Sequence, residues 1–170
     1  MRRRSGGLKG STLLEFTLVG IPMIFVLIST FEIGRGMWLY HTLGFSVRAG
    51  TRYASVHGAN CAQPPNSCTV KIRDIAAVVQ SAGPGLVPDQ LNMTFQPQVG
   101  SAITCLLRDC LTDNTVWPPL IANSAGMTLR IDGVYPFRSI ISMFWPGAGG
   151  AYRPYTAVNF PASSTERVQF

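Results

Sequence analysis

A chain of 170 residues, 46% hydrophobic and only 13% charged, has the length for one compact domain plus an additional element and is too short for a large enzyme. That charge content is about half the usual quarter, which points to a membrane-attached or secreted protein rather than a cytosolic domain. The net charge of +6 does not indicate nucleic-acid binding: Arg2, Arg3, Arg4 and Lys9 all precede an apolar run, the rest of the chain sets ten cations against eight anions, and its arginines form no patch.

The apolar run has sixteen uncharged residues from Phe16 to Phe31, and twenty-one from Leu13 to Ile33 if Glu15 and Glu32 near the ends are accepted. At about 1.5 Å per residue the longer count reaches ~30 Å, one hydrocarbon thickness. The basic cluster ahead of it predicts a cytoplasmic N-terminus with the remainder outside. A cleaved secretory signal shares this layout, but "IPMIFVLISTFEIGRGMWLY" has no clear small-x-small cleavage site and helical patterning continues past it, so a retained segment is favoured.

Beyond the run, Ile33, Met37, Tyr40, Gly44, Val47, Thr51 and Ala54 recur at spacings of three and four. They predict one helix from Ser11 to His57, ~70 Å long, with this stripe against the downstream domain or a neighbouring helix. Gly20, Pro22, Gly34 and Gly36 are its candidate kink points. His41 and His57 have no carboxylate or cysteine partner in local spacing, and Arg48 and Arg52, four apart, read as a solvated or domain-facing edge.

"GANCAQPPNSC" reads as a loop, and "TVKIRDIAAVVQSAG" as a short amphipathic helix stopped at Gly83-Pro84-Gly85. Leu91, Met93 and Phe95 alternate as a strand broken by Pro97; Met127, Leu129 and Ile131 form another, bent at Tyr135-Pro136-Phe137; "YTAVNF" supplies a third. Residues 97–125, with Pro118-Pro119, read as an insertion, Gly147–Gly150 as a flexible loop, and "PASSTERVQF" as a loose tail. The fold class is α+β: a long N-terminal transmembrane-plus-amphipathic helix packed on a small antiparallel sheet.

The four cysteines fall in two close pairs, Cys61 with Cys68 and Cys105 with Cys110. Two disulfides in an oxidising compartment are favoured, and sequential pairing among the three connectivities because short loops close at least cost. Zinc is the weaker alternative, since the spacings do not match the usual ligand sets cleanly and both histidines lie upstream. No nucleophile elbow, phosphate loop or carboxylate cluster is present, so neither an enzyme nor a cofactor or metal site is expected.

Glu15 is the anomaly, because a carboxylate at the hydrocarbon edge costs up to a few kcal/mol unless paired. Thr12-Leu13-Leu14-Glu15 is a T-x-x-E capping box, which accounts for it as the start of a helix. A second account comes from a resemblance. A basic leader ending at Gly10, then "STLLEF" and an apolar helix, resembles the prepilin-peptidase substrates of type IV pilus and type II secretion systems. "FEIGRGMWLYHTLGFSVRAGTRYASVHG" resembles the TadE-like minor pseudopilins of tight-adherence (Flp-type) pilus systems, with Glu32, Gly34 and Arg35 in one motif and Arg48, Ala49, Gly50, Arg52, Tyr53 and Ala54 in the next. "MTLRIDGVYPFRSIISMFWPG" resembles the strand, Tyr-Pro-Phe turn and second strand that end such proteins. The likeness is strong over 10–58, moderate over 127–160 and weak between.

The resemblance implies cleavage by a separate prepilin peptidase between Gly10 and Ser11, placing Glu15 fifth in the mature chain before Phe16, where it would neutralise the Ser11 amine of a neighbouring subunit. It implies a bacterial inner-membrane, single-pass protein with a periplasmic C-terminal domain, incorporated into or serving a pilus, whose partners are the membrane, the peptidase, other pilin or pseudopilin subunits and the assembly machinery. The expected organisation is a leader at 1–10, a transmembrane helix at 11–33, its extracytoplasmic continuation at 34–58, and a disulfide-stapled α+β domain at 59–170 with the insertion near 97–125. The alternative is a permanently anchored envelope protein whose outer domain binds a ligand or surface.

Overall fold

A computed structural model of the chain describes residues 9–57, 70–139 and 157–169. Helix α1, Lys9–Val56, is unbroken over 48 residues and contains Pro22; at 1.5 Å per residue it is ~72 Å long. The candidate kink points therefore lie inside one helix. Helix α2 is Ile72–Ala82; strands β1 and β2 are Asn92–Pro97 and Ile103–Leu106; a single turn, α3, is Leu107–Cys110; a 3-10 turn spans Leu120–Ala122; and strands β3 and β4 are Thr128–Arg138 and Ala157–Arg167. The four strands form an antiparallel sheet in the order β2-β1-β3-β4, an α+β arrangement.

Sheet alternation decides which face is covered. Leu129, Ile131, Tyr135 and Phe137 of β3 and Met93 and Phe95 of β1 are buried beneath the two helices. Thr94 meets Thr104 at 3.2 Å, and Arg130 donates to Asp132 at 2.9 Å, on positions out of phase with that core. One packed face and one polar face is the usual state of a small antiparallel sheet. Gly133 lies where α1 crosses: a Cβ there would sit 2.8 Å from Val47 Cγ2, so the helix needs a residue without a side chain at that point.

Helix α2 begins where the Asp74 carboxylate accepts the Lys71 backbone N–H at 3.1 Å, the favourable placement of a carboxylate at a helix start. Ile72, Ile75, Ala76 and Val79 form its buried face, and it ends at Gly83. It runs antiparallel to α1, since Gly83 lies against Ser46 while Val79 and Ile75 lie against Gly50.

Three expectations are corrected. The stripe on α1 holds only in its C-terminal half: Val47, Thr51 and Ala54 are buried, but Ile33, Met37 and Tyr40 are half or more exposed. The packed face instead runs through Glu32, Gly36, Leu39, Leu43, Ser46, Val47 and Gly50, because small and polar residues let the sheet and α2 approach closely. Second, β3 continues straight through Tyr135-Pro136-Phe137, with Pro136 opposite Asn159. The β1 pairing stops at Val134, so β3 has a free side there, where a proline's missing N–H is tolerated.

Third, Pro161–Arg167 is not a loose tail but most of β4, held by backbone pairing to β3, with Val168 buried after it. The 97–125 section, expected as an insertion, contributes to the fold. It supplies edge strand β2 and Trp117, which is 1% exposed and packs edge-on against Phe95 at 5.4 Å between ring centroids. The "GANCAQPPNSC" loop with Cys61 and Cys68, and Gly147–Gly150, lie outside the described residues.

Candidate functional site

The N-terminal part of α1 exposes nearly every side chain from Leu13 to Phe31, and the helix is long and apolar enough to cross a membrane. Its hydroxyls suit that environment. Thr17 donates to the Leu13 and Leu14 carbonyls at 3.1 and 2.9 Å, Ser29 to Phe25 at 2.7 Å and Thr30 to Val26 at 2.8 Å, so each is satisfied within the helix, as lipid requires. Gly10 and Ser11 lie in the first turns of α1. Glu15 and Phe16 are exposed one turn further on; the Thr12 side chain of the capping box lies outside the described residues.

Where the uncharged stretch ends, Glu32 turns inward and is 4% exposed. Arg35, one turn later on the same side, grips it with two bonds, Nε at 3.1 Å and a terminal nitrogen at 2.9 Å. That terminal nitrogen also donates to the Arg138 carbonyl at 2.7 Å, and the guanidinium lies 4.6 Å from the Phe137 ring centre. A bidentate, hydrogen-bonded arrangement is the form in which a buried carboxylate is tolerated. The ion pair therefore locks the end of β3 onto α1. Aromatic packing completes the lock: Phe137 stacks on Phe160 of β4 at 5.1 Å, Tyr40 meets Phe160 edge-on at 5.8 Å, and a Cβ at Gly36 would stand 3.3 Å from Phe137 Cζ.

The residues of the second motif part company. Gly50 is the contact point with α2, where a Cβ would be 2.5 Å from Val79 Cγ2, and Ala54 is fully buried. Arg48 and Arg52 face solvent, Arg52 beside a depression shared with Glu166. Tyr53 is half-buried and stacks on His57 at 4.2 Å. Gly34 has no atom within 4 Å of its would-be Cβ; it faces an apolar groove of ≈ 680 Å³ lined also by Trp38, Phe45, Ala82 and Pro84.

The motif residues are thus a set of contacts distributed along one helix rather than a reaction centre. Residues 10–52 match the family model described as TadE-like protein. The chain carries a TadE-like segment. The match ends inside α1, short of Tyr53 and of the 127–160 region. Neither the search of curated proteins nor that of solved structures returned a match.

Within the TadE-like segment the structure brings Glu32 and Arg35 together and keeps Arg48 and Arg52 apart from them. Sequence reading missed the partners outside the segment, Arg138, Phe137 and Phe160, and the packing role of Gly36 within it. The unbroken alternation from Leu129 to Phe137 was the available signal for β3, and "YTAVNF" placed Phe160 on a strand without indicating its ring partners. Cys105 and Cys110 are joined in the structure, with Cα atoms 5.6 Å apart, across the junction of β2 and α3. Among the described residues no group of three or more His, Cys, Asp or Glu could hold a metal ion.

Proposed function

We propose that the protein is a membrane-anchored, non-catalytic assembly subunit of a tight-adherence pilus or related secretion filament. The carrying observation is the coincidence of the TadE-like match with a single helix that is apolar and exposed at one end and forms the domain core at the other. A subunit built this way offers neighbours a helix while its sheet domain stays outside the bilayer.

In this reading a prepilin peptidase cuts after Gly10, and the new Ser11 amine of one subunit is neutralised by Glu15 of the next. The exposure of Glu15 and Phe16 on α1 supports it. The Arg2–Arg4 and Lys9 cluster supports an orientation with the N-terminus in the cytoplasm and residues 59–170 in the periplasm, an oxidising compartment that suits the Cys105–Cys110 and Cys61–Cys68 pairs.

Intact-mass or N-terminal analysis of protein from its native membranes should find Ser11 first; a chain still beginning at Met1 in the presence of the peptidase would sink the processing step and favour a permanent anchor. Glu15→Ala should reduce piliation while leaving insertion and cleavage intact. Normal piliation in that variant would leave Glu15 with no assembly role.

A further inference from the structure

We infer that the end of the folded domain nearest the apolar segment is a lipid-headgroup surface, on which Arg138, held in place by Arg35, meets the phosphates of a phospholipid bilayer. This rests on the membrane-anchored reading of α1. The first observation is distance along the helix. If hydrocarbon ends at Phe31, Arg35 stands ~6 Å above it, and the headgroup layer is about 5–7 Å deep. The Arg35 bond to the Arg138 carbonyl holds the end of the β3–β4 pair at that same height, since Arg138 is opposite Ala157 in the register.

The second observation is charge. Glu32 is buried against Arg35 and the two offset each other, so the net charge turned outward at this level belongs to Arg138. No carboxylate among the described residues pairs with Arg138, whose side chain is exposed. A cation with no exposed anion beside it among the described residues, at phosphate height, is complementary to a phospholipid surface.

The third is the apolar surface at the same level. Trp38 is 62% exposed, with Ile33 and Val158 similarly open. Helical side chains slope toward the N-terminus, so the Trp38 indole covers the turn that starts at Gly34, with which it shares a groove. The α2–β1 loop reaches it too: a Cβ at Gly85 would sit 3.9 Å from Trp38 Nε1. An exposed indole just beyond an apolar span is the aromatic signature of a membrane–water boundary. Phe45, ~21 Å above Phe31, is too high for this layer, so the surface is confined to the domain's lower end.

The test uses the full chain in phospholipid nanodiscs, labelled with 5-fluorotryptophan. It has three tryptophans, Trp38, Trp117 and Trp145, and single Trp→Phe variants assign their fluorine signals. Trp117 is the internal reference. Its backbone N–H donates to the Val70 carbonyl, at the start of α2 beyond the Gly50 contact, more than ~28 Å from Phe31. Lipids carrying a paramagnetic gadolinium headgroup should broaden the Trp38 signal away and leave Trp117 unchanged. Adding anionic phosphatidylglycerol should strengthen the contact roughly five-fold per engaged arginine, and Arg138→Glu should abolish that gain. A sharp Trp38 signal in protein that co-elutes with the discs would overturn the inference, as would a phosphatidylglycerol effect unchanged in Arg138→Glu. Failure to co-elute would overturn the anchored reading, and the inference with it.

Discussion

Removing the Arg35 guanidinium should loosen the domain from its helix. In Arg35→Met the side chain keeps most of its length and apolar bulk, but Glu32 loses both bonds from Arg35, the Arg138 carbonyl loses one, and Phe137 loses its cation. Stripping a partner from a buried ion pair costs about 3–5 kcal/mol when the pair is dry. Here Glu32 is 4% exposed but Arg35 is 35% exposed, so water shares the interaction and the expected cost is about 2–3 kcal/mol. For a chain of this size that lowers the thermal midpoint by roughly 5–10 °C. The measurement is circular dichroism of the full chain in detergent at neutral pH, where the sheet signal reports the domain. The double variant Glu32→Leu/Arg35→Met should recover at least half the loss, because an apolar pair leaves no buried charge behind. An unchanged midpoint in the single variant, or a double variant less stable than the single one, would show that Arg35 does not neutralise a buried carboxylate.

The two motif glycines should respond in opposite directions. Gly34→Ala enters open space within a helix and should stabilise by up to about 1 kcal/mol, whereas Gly50→Leu collides with Val79 and Ile75 and should destabilise by about 1–3 kcal/mol; thermal melts of both variants compare them directly. For the cysteines, non-reducing peptide mapping should recover Cys105 linked to Cys110, and Cys105→Ser/Cys110→Ser should cost about 2 kcal/mol, the closure entropy of so short a loop. A map linking either of them to Cys61 or Cys68 instead would overturn the neighbouring pairing.

What could be read from the chain followed from where water is. For α2 and β1, one side faces core and the other solvent, so Ile72, Ile75 and Val79 and then Met93 and Phe95 announced themselves by period. Along α1 that logic reverses. Its outward face in the Ile33–Phe45 region is apolar, while its inward face includes Glu32, Gly36, Thr42 and Ser46, so apolar periodicity traced the wrong side until Val47. The second half of strand β4, past the "YTAVNF" that read as a strand, was hidden for a different reason: Ser163, Ser164 and Thr165 are held by main-chain pairing at one side of the sheet and need no apolar side chains. The Glu32–Arg35 spacing was visible in the motif, but its third member is a backbone carbonyl 103 residues away, which no side-chain pattern encodes. Trp117 was likewise surrounded by turn residues that concealed a core position.

The unbroken course of α1 makes the protein a lever. With no hinge between the segment that ends at Phe31 and the core residues up to Val56, a tilt of about 10° in the bilayer swings the far end sideways by ~6 Å. The sheet is bolted along the arm at Arg35, Gly36 and Val47, so it must swing as well. Movement of a neighbour against the embedded portion is thereby delivered to the outer surface as displacement rather than absorbed by a linker.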